Sequence, residues 1–420
     1  MKRRTLLLGG AGVAAAAVAA GLIWRPRDHV LPQDAYFSAL NDLLKQSGPG
    51  RPVMLVDLDR MNHNIDMLAK SVGPDKTYRV VVKSLPSVEL VRHVMARANT
   101  RALMLFHQPF INIVADTFPD SDVLLGKPMP VNAAETFYKK FSARSGFDPA
   151  TQLQWLIDSP ERLAQYQSLA RRLGVKMKVN LEIDVGLHRG GLPEPEAVIP
   201  VLKTIQDDPA HLTLGGFMGY EPHLTGLAAT LDHDSVKSVL SIYRGFIDKA
   251  KDSGVDVSQL TLNGAGSHTL GIYENDNTMN DLSAGSGVVM PLDFDTYHLR
   301  DNQPALFIGT PILKRYDSLP LGGDAGKALS AWDPNRRRLY YVYGGYWKAR
   351  FVSPSGVPDA LYHSTNQEPV STSESVDLAV DDYMFLRPTQ SEHVMLQFGD
   401  LLVVKDSAFV NQWPVFQETG

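Results

Sequence analysis

A chain of 420 residues exceeds the usual size of one hydrophobic core, so a large barrel with a second domain is the natural expectation. Its 44% hydrophobic and 21% charged content is ordinary for a globular protein, and a net charge of -5 offers nucleic acid no basic surface. With no cysteine, disulfides, zinc–thiolate sites and thiol nucleophiles are excluded.

At the N-terminus, Lys2, Arg3 and Arg4 precede an apolar, Ala/Gly-rich run from Thr5 to Trp24, closed by Arg25-Pro26-Arg27-Asp28. A charged start followed by an apolar run is the pattern of an export signal. The sequence Arg3-Arg4-Thr5-Leu6-Leu7 resembles the twin-arginine type, which translocates folded proteins. Ala19, Ala20 and Gly21 offer a loose cleavage site, whereas about 20 apolar residues left uncleaved just span a bilayer. Residues 1–28 are therefore expected to be a signal or a membrane anchor. Either fate places the catalytic body in the periplasm, free or facing it from the inner membrane.

From about residue 50 to 290, short apolar runs alternate with amphipathic stretches. The strand-like runs are Val53–Leu58, Tyr78–Val82, Ala102–Phe106, Val123–Leu125, Leu153–Ile157, Met177–Ile183, Leu212–Met218 and Leu260–Leu262. Helical patterns fall between them, for instance at Arg60–Val72, Ser87–Ala98, Val131–Phe141, Glu161–Leu173 and Ser235–Ser253. Repeated βα units with about eight strands predict a TIM-type (β/α)8 barrel over residues 29–290. Beyond it the texture turns to Gly/Pro turns and β-rich runs such as Leu339–Tyr343 and Leu401–Val404, which predicts a C-terminal β domain over 291–420.

In such a barrel, functional side chains lie just after the strands. Lys83 ends the run Arg79-Val80-Val81-Val82, where desolvation in the barrel mouth can make its amine a Schiff-base former; a solvated strand-end lysine is the alternative. Glu182-Ile183-Asp184-Val185-Gly186-Leu187-His188-Arg189 packs two acids, a histidine and an arginine into one strand exit. There the Arg189 fork can hold a carboxylate or an oxyanion, or simply pair with an acid. Gly219-Tyr220-Glu221-Pro222-His223 supplies a phenol, a carboxylate and an imidazole, of which Tyr220 and His223 can carry protons; a buried structural histidine is the other reading. Asn263-Gly264-Ala265-Gly266-Ser267-His268-Thr269 and Ala284-Gly285-Ser286-Gly287 are two small-residue turns on one rim. Glycines let the backbone approach a phosphate, and free N–H groups favour its charge.

These motifs, in this order, resemble the fold-type III pyridoxal-phosphate enzymes with an alanine racemase-like barrel, nearest the D-threonine aldolase and D-serine dehydratase branch. The resemblance covers most of residues 50 to 290, with a weaker echo at the C-terminus. Arg79-Val80-Val81-Val82-Lys83 is similar to the branch's Arg-Pro-His-x-Lys, and the Glu182–Gly190 segment to its Glu-Ile-Asp-Val-Gly-x-x-Arg-x-Gly. Gly219–His223 looks like its Tyr-Glu-Gly-His form, and Ser391-Glu392-His393 like the Ser-Glu-Glu-His of its β domain.

The resemblance implies that Lys83 holds pyridoxal 5'-phosphate, which acts as electron sink for a bond broken at the α-carbon of an amino acid. Lys83 and His223 would carry protons, Tyr220 would support the ring, and Arg189 would hold an oxyanion. The phosphate would lie against Gly264, Gly266, Ser267, His268 and Thr269, and Asn263, Gly285 and Ser286 are further candidates for binding the cofactor. A homodimer is implied as well.

Departures shape the reading. Val80 and Val81 replace the branch's proline and histidine, and the position of the aldolase base falls on Gly226. Lys405 and Ser407 stand where the branch has its metal pair, and a lysine cannot replace a neutral histidine as ligand, so no metal is expected. The nearest branch points to a lyase or deaminase of a D-3-hydroxy amino acid. A metal-independent amino-acid racemase and a cofactor-binding protein without turnover are the alternatives.

Overall fold

The computed structural model describes residues 25–226 and 229–417. The expected signal or anchor lies outside the described residues, except for its last four positions. Among the described residues no helix is long and apolar enough to cross a membrane.

The chain forms two compact units that are discontinuous in sequence. One comprises Met54–Leu306 with the segment from Pro388 onward, and the other comprises the chain up to Val53 with Phe307–Arg387. Strand β1 is Val53–Asp57. The strands β2 (Thr77–Val81), β3 (Ala102–Leu105), β4 (Asp122–Leu125) and β5 (Leu153–Ile157) follow. They continue as β6 (Met177–Ile183), β7 (Leu212–Gly219), β8 (Thr261–Gly264) and β9 (Asp281–Ala284). Strands β2 to β9 close into an eight-stranded parallel barrel, sealed where Thr77 to Val80 of β2 pair with Asp281 to Ala284 of β9. A (β/α)8 barrel is thus present, but two strands of the expected list change. Val53–Leu58 does form a strand, yet it lies outside the barrel, and the closing strand is Asp281–Ala284.

Parallel strands covered on both faces are built from near-continuous apolar runs, and β3 and β5 are buried throughout. The helices between them start and stop on local chemistry. Helix Pro160–Leu173 is capped by Ser159, which accepts from the Arg162 N–H, opens with Pro160 in its first turn, and ends at Gly174 with φ +65°.

The lower interior of the barrel is polar rather than a stack of branched apolar residues. Arg79, fully buried, meets Asp281 at 2.7 Å and Asp122 at 2.6 Å. Asn263 donates to Asp281 at 2.6 Å, and Asn180 donates to Gln154 at 3.0 Å. This explains why β9 was hard to see: Asp281 and Ser283 break its apolar pattern because they point to polar partners inside the barrel.

The smaller unit is a mostly antiparallel sheet of β10 (Leu306–Tyr316), β11 (Arg338–Tyr343), β12 (Ala349–Ser353), β13 (Gln367–Thr372) and β14 (Tyr383–Pro388). Strand β10 pairs with β11 and β14, and β11 with β13. Its core gathers Val30, Ile312, Tyr340, Val342, Val370 and Met384. The C-terminal segment adds β15 (Leu401–Lys405) and β16 (Ala408–Trp413), and β15 runs parallel to β1.

Candidate active site

A cavity of about 410 Å³ opens at the C-terminal ends of the barrel strands. Wider depressions of about 540 and 710 Å³ lie around Arg92 and Thr100 and at the N-terminal strand ends, and neither gathers the expected site residues. Lys83, Arg189, Tyr220, Asn263, Gly266, Ser267, His268, Gly285 and Ser286 all line the rim cavity.

Lys83 sits in the single turn Val82–Ser84 that follows β2. Its Nζ lies 2.8 Å from Glu392 Oε1, with the two side chains 41% and 34% exposed. The amine also stands 4.8 Å from the centre of the Phe106 ring. The amine lies in the barrel mouth, as the strand-end position predicts, but it is partly exposed and held by a carboxylate rather than desolvated.

The Arg189 guanidinium lies 5.1 Å over the Tyr220 ring, a cation–π contact, and 3.9 Å from Glu182. Its loop is wound around Asp184, which accepts from the N–H groups of Gly186 at 2.9 Å and His188 at 3.0 Å and from the His188 ring at 2.8 Å. Burial pushes Asp184 up, but these hydrogen bonds outweigh it and hold the group below its ordinary value. Gly191 is required by close approach: a Cβ there would sit 2.9 Å from the carbonyl carbon of Ile183. Burial raises the Tyr220 phenol, which therefore stays protonated at neutral pH.

The two small-residue turns are tied into one cradle. Ser267 Oγ accepts from the N–H groups of Gly285 and Gly287, both at 3.1 Å. Thr269 Oγ1 accepts from the Gly266 N–H at 3.0 Å and donates to Glu221 Oε1 at 2.6 Å. A Cβ on Gly285 would fall 2.7 Å from the Val81 carbonyl oxygen, so that turn has room only for glycine. The N–H groups of Ser267 and His268 have no protein acceptor among the described residues, and the Ser267 hydroxyl proton is likewise unused. An oxyanion fits such a set of donors. The His268 ring stacks on Phe294 at 4.1 Å, and burial lowers its basicity.

Three expected residues are placed elsewhere. His223 is exposed, does not line the cavity, and packs beside Gly186. Gly264 belongs to the packed end of β8, where a Cβ would overlap the Met279 sulfur. Thr269 is buried behind the cradle and braces it without lining the cavity. Lys405 lies 3.9 Å from Asp59, and Ser407 forms the left-handed turn between β15 and β16 at φ +56°. Among the described residues no group of three or more His, Asp or Glu side chains is placed to hold a metal.

Sequence reasoning assigned no role to Glu392, Phe106 or Glu221. Glu392 belongs to Ser391-Glu392-His393, far from Lys83 in the chain, and nothing local ties the two together. Glu221 is almost wholly buried behind Thr269, and burial pushes it up to about 7 from 4.5. Because its folded value is raised, the unfolded chain loses this proton first, so stability falls as pH rises from about 4.5 and levels off above about 7. Glu221→Gln keeps an acceptor for Thr269 and removes the buried charge. The variant is expected to gain about 3 kcal/mol over wild type at pH 8 and almost nothing at pH 4.5. Denaturant midpoints at the two pH values check this.

The family model of the alanine racemase N-terminal domain matches residues 56–290, more than half of the chain. The chain belongs to that family. As an alanine racemase-family protein it has the fold-type III architecture, whose cofactor is pyridoxal 5'-phosphate, and the cradle's donors and the lysine that lines the same cavity fit that cofactor. The family member is also similar to the 3-hydroxy-D-aspartate aldolase of Paracoccus denitrificans (strain Pd 1222), at 23% identity over 197 residues. That match covers 45% of this chain and 49% of the relative, so the chain spans about half the length of the curated relative it matches.

Solved structures share the fold of this alanine racemase-family chain. D-threonine aldolase from Filomicrobium marinum superposes with a TM-score of 0.70 at 14% identity, covering 87% of this chain and 96% of that one. D-threo-3-hydroxyaspartate dehydratase from Delftia sp. HT23 gives 0.68 at 15%, covering 87% and 97%. Alanine racemase of Clostridium difficile 630 gives 0.64 at 16%, covering 86% and 98%.

Proposed function

We propose that this enzyme is a lyase acting at the α-carbon of a D-3-hydroxy amino acid. The observation that carries the reading is the cavity itself, which is lined by one lysine amine and by a glycine–serine cradle with unpaired N–H donors. Similarity to proteins named as a 3-hydroxy-D-aspartate aldolase, a D-threonine aldolase and a D-threo-3-hydroxyaspartate dehydratase supports the 3-hydroxy substrate class and the D configuration.

Lys83 would hold the cofactor's aldehyde carbon, and Ser267 and His268 its phosphate. When bound, pyridoxal phosphate supplies an acceptor for the electron pair released at Cα. The chain's own residues do the rest. Lys83 would take a proton from Cα or return one. Tyr220, kept protonated by burial, presents a hydrogen-bond donor, and Arg189 presents a permanent positive fork for a carboxylate. His223, exposed and outside the cavity lining, is given no proton-carrying role in this reading.

A racemase is the second reading, because the same fold serves alanine racemase and Lys83 with Tyr220 supplies two groups that exchange protons. Purified protein supplied with pyridoxal phosphate should be assayed against D- and L-3-hydroxy amino acids for carbonyl products and for enantiomer exchange. Release of a keto acid or aldehyde from the D enantiomer is expected. Enantiomer exchange without release would establish the racemase, and neither outcome with bound cofactor would refute turnover.

A further inference from the structure

The turn Glu392–Met395 is stapled to the barrel rim by buried serines. Ser391 Oγ donates to Ser286 Oγ at 3.2 Å, and Ser286 Oγ donates to Ser84 Oγ at 2.9 Å. All three serines are buried, and Ser84 shares a turn with Lys83. This row of hydroxyls fixes the next residue, Glu392, with its Oε1 2.8 Å from Lys83 Nζ. The other ionisable side chains lining the cavity are Lys83, Arg189, Tyr220 and His268, which makes Glu392 the only carboxylate there among the described residues.

We propose that Glu392 is a catalytic residue that carries protons from the substrate's amine to Lys83 while one nitrogen replaces the other on the cofactor. The inference rests on the reading that Lys83 holds the cofactor, and it applies whether the enzyme is a lyase or a racemase. At neutral pH an amino acid arrives with its amine protonated, and an ammonium has no lone pair with which to attack carbon. The substrate nitrogen must approach the same carbon that bears the Lys83 nitrogen. A carboxylate 2.8 Å from the lysine nitrogen is therefore in reach of both.

Glu392 first takes a proton from the substrate ammonium, and the freed lone pair forms the new carbon–nitrogen bond. Glu392 then gives that proton to the lysine nitrogen and takes a second from the substrate nitrogen. The Lys83 carbon–nitrogen bond breaks, its electron pair stays on the lysine, and Glu392 passes on the second proton. With the carbon–nitrogen double bond counted as protonated before and after, one such bond forms and one breaks. Two protons move between nitrogens, and nothing else is consumed. The exchange ends with Lys83 free of the cofactor and its nitrogen beside Glu392, the pair that stands 2.8 Å apart in the structure.

The test mixes cofactor-loaded wild type, Glu392→Gln and Glu392→Asp rapidly with amines and follows the shift in cofactor absorbance, a readout that needs no turnover. With an amino acid at pH 7, Glu392→Gln is expected to slow the exchange about 10²-fold or more. The loss should shrink as pH rises and the amino acid arrives neutral, and Glu392→Asp should recover part of the rate. With hydroxylamine, already neutral at pH 7, the loss should be about tenfold smaller. Equal slowing with both amines, or no slowing with the amino acid, would overturn the proposal. Failure of wild type to bind pyridoxal phosphate through a lysine would instead overturn the reading beneath it.

Discussion

Lys83→Ala is expected to yield a folded protein that takes up no lysine-bound cofactor and loses turnover by about 10⁴-fold or more. Lys83 is the only lysine that lines the rim cavity among the described residues, so no neighbouring amine can take over the attachment. Stability should hardly change. The side chain is 41% exposed and its one ion pair, with Glu392, is open to solvent, so removing it costs at most about 1 kcal/mol. The visible absorption of the reconstituted variant and its melting temperature, measured on one preparation, separate loss of chemistry from loss of fold. A variant that still formed a borohydride-reducible adduct with pyridoxal phosphate would contradict the assignment.

Arg79→Ala should do the reverse, destabilising the barrel by about 3–5 kcal/mol. Burial alone disfavours the guanidinium's charge, but the carboxylates of Asp281 and Asp122 reverse that balance. Removing the arginine leaves Asp281, itself buried in β9, facing the barrel interior without its counter-ion. Asn263, which lines the cavity, still donates to Asp281, but that carboxylate is no longer held by Arg79. The double change Arg79→Met with Asp281→Leu should recover part of the loss, because replacing a buried ion pair by apolar groups avoids the unpaired charge. Denaturant titration of both variants tests this, and a loss below about 1 kcal/mol in Arg79→Ala would show that water or other groups already compensate Asp281.

The sequence carried the barrel and most of the cavity because both rest on local pattern. An apolar run followed by a polar residue marks the C-terminal end of a parallel strand, and Lys83, Arg189, Tyr220 and the Asn263–Thr269 turn all obey that rule. What it missed was long-range or directional. Val53–Asp57 is as apolar as any barrel strand, and nothing in its composition says that it pairs with Leu401–Lys405. Asp281–Ala284 hides because two of its residues face polar partners inside the barrel. His223 follows a strand closely enough to satisfy the rule, but its side chain turns toward Gly186 and solvent. Glu392 reaches the lysine only through the serine row Ser84, Ser286 and Ser391, whose members lie far apart in the chain.

The proposed function and the role of Glu392 both depend on which lysine bears the cofactor. Protein reconstituted with pyridoxal phosphate, reduced with borohydride, digested and sequenced by mass spectrometry should carry the pyridoxyl group on Lys83. Lys127, exposed just beyond the end of β4 and absent from the cavity lining, is the control within the same rim. A label confined to Lys83 is the expected result, whereas a label on Lys127 or another lysine, with Lys83 unmodified, would contradict the placement of the active site.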